Sequence, residues 1–270
     1  MIVQSAPEGS PRFVITQIDH ARACGDLAQQ FGNAEFATLY PLEAMEYMVA
    51  HHDEGWLHLD DHVERDPNTG FPYHLTQTPI LKLVDTGAGS PNHNEAYHAY
   101  SGLLSSMHTW GLYHGRYGLS TFVFIDRFPA EHRPKVDAML AHEEARQERL
   151  KAQLANSDLA EWTVGAKLMH NYKLLQFFDT LGLYFHTTHP TLHTEQTFAN
   201  VPRNVGDDVT LTMKPITENH YHLSPFPFAD SVTFTTQGRL LSPLPDDADM
   251  PSVMRQTPLV TQTVTIVGDV

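Results

Sequence analysis

An apolar helix predicted over residues 159–185 contains the stretch Leu174-Leu175-Gln176-Phe177-Phe178-Asp179-Thr180-Leu181, in which one carboxylate interrupts a run of large side chains. Two further long helices are predicted before it, over residues 94–113 and 130–154. Together they indicate a mainly α-helical protein. A buried carboxylate is rare unless a charge, a hydrogen bond or a metal ion compensates it, so Asp179 requires a partner.

Two shorter helices are predicted nearer the N-terminus. Asp19 can cap a helix that runs to about Phe31, and a second helix starts near Leu42 and stops at Gly55. Residues 57–93 contain two clusters of turn residues. We expect this long segment to be a loop that lines or covers a site.

The sequence pattern changes at about residue 205. Beyond it, apolar residues alternate with threonine, as they do around Leu211 and around Ile266, and this period of two predicts strands. We therefore predict a helical domain over residues 1–204 and a small antiparallel β extension over residues 205–270 that packs on it. Pairing of an exposed edge strand could join two chains into a homodimer.

The overall charge restricts the partners of the protein. The chain has 17 Lys and Arg against 32 Asp and Glu among 270 residues, a formal charge of -15. This balance argues against nucleic acids and anionic membranes as partners. No apolar run is long enough to span a membrane, and the single cysteine, Cys24, suits a reducing compartment. We expect a cytoplasmic protein that acts on a small-molecule substrate.

Histidines and aspartates at four places could hold a metal ion. His20 lies in the first turn of the first predicted helix, the doublet His52-Asp53 ends the second, and His108 lies within the helix over residues 94–113. With Asp179 they supply nitrogen and oxygen donors from four predicted helices, as a metal site requires. These five residues are the candidate metal ligands.

Helical spacing adds residues that could orient the ligands or contact substrate. Gln17, Gln176 and Tyr172 lie three or seven residues before a candidate ligand, which places each on the same helix face as that ligand. Trp56, three residues after the doublet, is expected to form a wall of the pocket. Three histidines that follow the last long helix are interpreted as solvated: His186, His189 and His193.

Five motifs spread over most of the chain carry a family resemblance. They are Ile15-Thr16-Gln17-Ile18-Asp19-His20, Ala50-His51-His52-Asp53-Glu54-Gly55-Trp56, Ser105-Ser106-Met107-His108 with Gly111-Leu112-Tyr113, Leu175-Gln176-Phe177-Phe178-Asp179, and Pro225-Phe226-Pro227-Phe228. In these motifs the chain resembles a bacterial family called domain of unknown function 3891. The order of its candidate ligands also resembles that of the HD superfamily, helical proteins named for their His-Asp doublet.

The resemblance to the HD superfamily implies an HD-like helical bundle with the small β element at its C-terminal end. It also implies one or two divalent ions (iron, manganese or magnesium), the first held by His20, His52, Asp53 and Asp179. Asp53 would bridge the two ions when a second is bound. Two-metal members place two more histidines between the doublet and the last aspartate. His108 can be one of them, and three residues remain open for the other: His74, His98 and His114.

Two activities are compatible with such a centre. The first is hydrolysis of a phosphoester by a metal-activated water, with Asp53 holding the nucleophile and His108 or His51 as general acid. The second is oxidation of a small polar substrate by a mixed-valent diiron oxygenase with the same ligand order. A sensor or a purely structural protein is the third alternative. Phosphate recognition requires a cation, for which the candidates are Lys82, Arg116, Lys167 and Lys173.

Overall fold

One seven-stranded mixed sheet joins the two ends of the chain. In the computed structural model, which describes residues 1–269, the strand order is β1-β2-β6-β7-β5-β4-β3 and the sheet curls into a half-barrel. Neighbouring strands are antiparallel except β5 and β7, which are parallel, with Tyr221 opposite Ile266. The strands are β1 Ile2–Val3, β2 Arg12–Ile15, β3 Gln196–Asn204, β4 Asp207–Thr217, β5 His220–Ser224, β6 Val232–Leu241 and β7 Val260–Val267.

Helices and short 3-10 turns together cover about half of the described residues. None of the helices within residues 1–269 combines the length and the apolar character that crossing a membrane requires. The α-helices are α1 Gln17–Gln29, α2 Leu42–Ala50, α3 Leu57–Asp61, α4 Ile80–Gly87, α5 Gly89–Tyr97, α6 Ala99–Tyr113, α7 Arg133–Leu154, α8 Gly165–Thr187 and α9 Met250–Gln256.

The prediction of a mainly α, HD-like helical bundle with a small C-terminal β element is wrong. β1 and β2 come from the start of the chain, and β2 pairs with β6, where Phe13 lies opposite Leu240. β3 begins at Gln196, before the strand-rich tail was expected to start. The first two strands have two and four residues. Such short apolar runs fit a strand and a buried helix equally well, so their period cannot be recognised.

α8 lies at the centre of the core. Its Leu174, Leu175, Phe178 and Leu181 are fully buried, and the helix packs against α1, α2, α6 and β3. A helix that is apolar on most of its sides is typical of the interior of a domain. The prediction that Asp179 lies in a buried helix is therefore confirmed. Truncating one of these leucines to alanine is expected to cost about 2–5 kcal/mol of unfolding free energy.

Glycines allow α1 to approach both α2 and α8 closely. A Cβ atom at Gly25 would lie 2.5 Å from Cβ of Ala50, and one at Gly182 would lie 2.5 Å from Sγ of Cys24. Any larger side chain at these two positions would push the helices apart. The absence of side chains here brings His20 on α1 directly against α8.

Several predictions about the helices differ from the structure. α1 begins at Gln17 rather than at Asp19, because the Thr16 hydroxyl accepts the backbone N–H of Asp19 at 2.9 Å and so caps the helix. The helix predicted over residues 94–113 is two helices separated by His98, whose Nδ1 accepts the N–H of Tyr100 at 3.1 Å. Residues 57–93 contain α3, α4 and part of α5 rather than a loop.

Candidate metal centre

The five candidate ligands converge at one place, which we call the metal centre. His20 projects from α1, His108 from α6 and Asp179 from α8, and His52 and Asp53 lie in the turn that follows α2. Four of them are buried, and the Asp53 side chain is 14% exposed. Two triads of ligand atoms, His20–His52–Asp179 and His52–Asp53–His108, each have all their members within 4.8 Å of one another.

One hydrogen bond determines which tautomer the neutral His52 ring adopts. Its Nδ1 lies 2.7 Å from the Val49 carbonyl oxygen and donates to it, so Nε2 carries the lone pair. Among residues 1–269 that buried Nε2 has no hydrogen-bond partner, and it lies 3.5 Å from Oδ2 of Asp53 and 3.8 Å from Oδ1 of Asp179. A lone pair facing two carboxylates is unfavourable unless a cation lies among them. The donor set therefore fits a divalent ion, and backbone orientation of a ligating histidine is usual in such sites.

His20 is oriented by a second histidine. Its Nδ1 lies 2.9 Å from Nδ1 of His186, and Nε2 of His186 lies 2.8 Å from the hydroxyl of Thr236 on β6. Both of these hydrogen bonds form when Nδ1 of His20 donates to His186 and Nε2 of His186 donates to Thr236. Nε2 of His20 is then left with its lone pair, 3.4 Å from Oδ1 of Asp179.

The interpretation of His186 as a solvated residue is wrong. It lies within α8 and is 1% exposed, and burial holds its pKa well below the usual value, so the ring is neutral. His186 follows Asp179 by seven residues, which is two helical turns and therefore the same face. That spacing could have identified it, but Pro190 suggested an earlier end to the helix.

His108 is held by Gln176. Its Nδ1 lies 2.8 Å from the side-chain amide nitrogen of Gln176, one turn before Asp179 on α8. Burial lowers the pKa of His108 to about 3, so its ring is neutral at physiological pH. A neutral imidazole is the form that binds a metal ion, whereas a general acid must carry a proton to donate. His108 is therefore better suited to be a ligand than an acid.

The two carboxylates differ in their surroundings. Burial raises the pKa of Asp53, although His52 and His20 partly oppose it. Burial would also raise the pKa of Asp179, but the charge of Arg116, whose guanidinium lies 3.7 Å from Oδ2, helps to hold that pKa well below its usual value. Asp179 is therefore a carboxylate at neutral pH.

A model of the family "Protein of unknown function (DUF3891)" matches residues 1–243. The chain belongs to the DUF3891 family. No curated protein and no solved structure matches it. The resemblance to DUF3891 is thereby confirmed, whereas these comparisons do not show membership of the HD superfamily.

Several predicted site residues of this DUF3891 protein lie outside the metal centre. The His51 ring stacks on Tyr47 with centroids 4.0 Å apart, and its Nδ1 lies 2.6 Å from Oε1 of Glu54, so it belongs to a separate group. Trp56 lines a different, small cavity. The contenders for a further ligand are engaged elsewhere: His74 accepts the N–H of Val3, His98 caps α6 and His114 stacks on Trp110.

Gln17 and Tyr172 are buried beside the ligand-bearing helices. Within residues 1–269, neither the Gln17 side-chain oxygen nor the Tyr172 hydroxyl has a hydrogen-bond partner. The Tyr172 ring packs edge-on against Tyr117 and lies close to Gly111 of α6. Tyr172 thus packs between α8 and α6, and the roles of Gln17 and Tyr172 beside the ligands stay predictions.

Proposed function

We propose that this DUF3891 protein is a metal-dependent hydrolase of phosphoesters. One observation supports this proposal most directly: the buried Nε2 of His52, which has no hydrogen-bond partner in the described part of the chain, faces two carboxylates, with His20 and His108 beside it. Both triads contain His52, and its Nε2 can bind only one ion because Nδ1 is hydrogen-bonded to Val49. The two triads therefore form one centre. The ligand order, His, His-Asp, His and Asp, is also that of HD-superfamily hydrolases.

The five ligands would hold at least one divalent ion. Such an ion acidifies a bound water and polarises a phosphoryl oxygen. In the reaction, the oxygen of water would form a new bond to phosphorus as the ester P–O bond breaks, and one proton of that water would end on the departing alcohol. Asp53 is the only partly exposed ligand of the five, and in this proposal it would orient the attacking water.

A mixed-valent diiron oxygenase is the second candidate, supported by the wealth of histidine donors. A second iron requires a further histidine, but His74, His98 and His114 are all engaged outside the metal centre. This favours the hydrolase. Iron content and dioxygen consumption separate the two, because a hydrolase works anaerobically with manganese or magnesium.

Metal analysis of protein purified without chelator tests the metal centre. We expect wild-type protein to retain divalent metal, and we expect both His52→Ala and Asp179→Ala to lose it. His58→Ala is the matched control, because His58 is exposed on α3 and should leave the metal content unchanged. If both centre variants retain as much metal as wild type, the assignment is wrong. Hydrolysis of p-nitrophenyl phosphate should fall in parallel with the metal content.

A further inference from the structure

A cleft of about 460 Å³ lies beside the metal centre. Arg116 and Gln176 line it, and both also contact candidate ligands. The Arg116 guanidinium lies 3.7 Å from Oδ2 of Asp179, and the Gln176 amide nitrogen lies 2.8 Å from Nδ1 of His108. Residues of α8 and β3 form the other walls. These two side chains therefore lie between the cleft and the metal centre and contact both.

Arg116 lies in an unusual left-handed turn. Four consecutive residues, 115–118, have φ values of 66, 52, 55 and 88°, and the middle two, Arg116 and Tyr117, are not glycine. A left-handed conformation is unfavourable at a non-glycine residue and persists where the surroundings impose it, often at functional sites. Tyr117 anchors the turn, since its hydroxyl donates to Oε1 of Gln147 at 3.2 Å and its ring packs on Tyr172. The turn directs Arg116 into the cleft.

The opposite wall carries a second irregularity. The β3–β4 register shifts between Phe198 and Val201, and Asn200 within that bulge has a φ of 59°. Phe198 and Asn200 both line the cleft. Bulges redirect side chains and are frequent beside active sites. Two independent backbone irregularities thus flank the same cleft.

Arg116 differs from the other cations that were considered for phosphate recognition. Lys82 pairs with Glu64 and Lys167 with Glu161, whereas Lys173 also lines the cleft but pairs with Asp208. Among the described residues, the carboxylate beside Arg116 is Asp179, a candidate metal ligand. A metal ion bound to Asp179 would neutralise that carboxylate, and the Arg116 guanidinium would then be available to bind an anion. Guanidinium groups bind phosphate through two parallel hydrogen bonds.

We propose that the cleft binds a phosphorylated, hydroxyl-rich small molecule, with Arg116 holding the phosphate beside the metal centre. The proposal rests on the hydrolase function proposed above. The volume lies within the range of about 300–1,000 Å³ that is usual for small-molecule sites. Hydroxyl and amide side chains that suit a sugar-like body line the walls: Ser120, Thr180, Thr187, Thr188, Gln196 and Thr197.

Calorimetric titration of the Mn²⁺-loaded protein with inorganic phosphate tests the role of Arg116. Loss of a charged bidentate partner should weaken phosphate binding about 10- to 100-fold in Arg116→Gln, and Arg116→Lys should restore part of it. Metal content should remain at the wild-type value in both variants. Lys82→Gln is the matched control and should bind phosphate as wild type does, because Lys82 pairs with Glu64 away from the cleft.

The sugar-like body is tested with Thr197→Val, which removes a hydroxyl from the wall and conserves shape. We expect KM for ribose 5-phosphate to rise several-fold while KM for phenyl phosphate stays unchanged. An equal effect on both substrates would overturn the assignment of a hydroxyl-rich body.

Failure of the cleft and failure of the hydrolase are distinguishable. If Arg116→Gln, with its metal content and circular dichroism unchanged, binds phosphate as tightly as wild type, the cleft assignment is wrong even if the protein is a hydrolase. If wild-type protein binds phosphate through Arg116 but cleaves no phosphoester, the cleft stands and the proposed activity fails. If Arg116→Gln and Arg116→Lys both lose the native circular dichroism, Arg116 is a structural residue and the cleft assignment is overturned.

Discussion

At the scale of single residues, hydrogen bonds on one side of a ring decide what the other side can bind. The Val49 carbonyl fixes the proton of His52 on Nδ1, and His186 does the same for His20. Both rings then present Nε2 to Asp179. The residues that determine the donor set therefore include groups that never touch the ion, as is general for metal sites.

His186 should consequently affect metal affinity from outside the ligand set. His186→Leu leaves Nδ1–H of His20 buried without an acceptor, which costs about 1–3 kcal/mol of unfolding free energy. Loss of such a partner typically weakens metal binding about 10- to 100-fold. His186→Asn, whose side-chain oxygen can replace Nδ1 as the acceptor, should recover part of the unfolding free energy and part of the metal affinity. Competition titration with a chromogenic chelator and urea unfolding measure the two effects.

His193→Leu provides the comparison for that experiment. His193 also makes two hydrogen bonds, to the Tyr221 hydroxyl and to the Tyr184 carbonyl, but it lies outside the metal centre. It should lower stability and leave metal affinity unchanged. A His186→Leu protein that binds metal as tightly as wild type would show that the row from His20 to Thr236 is structural alone.

The five candidate ligands could be recognised in the sequence because each is marked locally. Asp179 interrupts an apolar helix, and His52-Asp53 follows the predicted end of another. Arg116 was one cation among four, since a left-handed turn at non-glycine residues has no sequence signature. His186 was missed because Pro190 suggested that the helix ends before it, and because its contacts with α1 and β6 come from residues distant in the chain.

At the scale of elements, the helical periodicity of the sequence predicted helices, whereas the sequence did not predict which strands pair. The helix predicted to start near Leu42 is present as α2, with Ala44, Met45, Met48 and Val49 all buried. The sheet depends on partners that lie far apart, such as β2 and β6, and no local pattern encodes that pairing. Helix breaks were likewise invisible when a side chain causes them, as His98 does between α5 and α6.

The close contact between α1 and α8 at Gly182 should affect both the unfolding free energy and the metal affinity, because His20 lies at this contact. A methyl group at Gly182 would lie 2.5 Å from Sγ of Cys24 and 2.9 Å from Cε1 of His20. Gly182→Ala is therefore expected to lower the unfolding free energy by about 1–3 kcal/mol, because overpacking forces helices apart. It should also weaken metal binding, because His20 is displaced.

Removal of the sulfur should relieve part of this strain. Gly182→Ala combined with Cys24→Ala is expected to be more stable than the sum of the two single changes predicts, since the residues are in contact. Gly87→Ala is the control, because its new methyl group would meet only the flexible end of Met139 and a Thr109 methyl group, at 3.2 Å or more. Additive effects of the first pair, measured by urea unfolding, would contradict the proposed clash.

At the scale of the whole molecule, the metal centre lies where distant parts of the chain meet. Its ligands extend from His20 to Asp179, and the support of His20 continues through His186 to Thr236 in the sheet. A ligand that binds only this assembled arrangement stabilises the native state in proportion to RT ln(1 + [L]/Kd). Metal at 100 to 1,000 times its Kd contributes about 2.7–4.1 kcal/mol by this relation.

Chelation should therefore lower the thermal stability of the entire fold. For a chain of this size, that free energy corresponds to a fall in Tm of about 5–15 °C in excess EDTA, and added Mn²⁺ should restore it. His52→Ala should melt at the same temperature with and without EDTA, because it no longer binds the ion. His58→Ala should respond to EDTA as wild type does, since it keeps all five ligands. A wild-type Tm that EDTA leaves unchanged, in protein shown by metal analysis to have lost its ion, would mean that these five residues form a stable polar cluster without one.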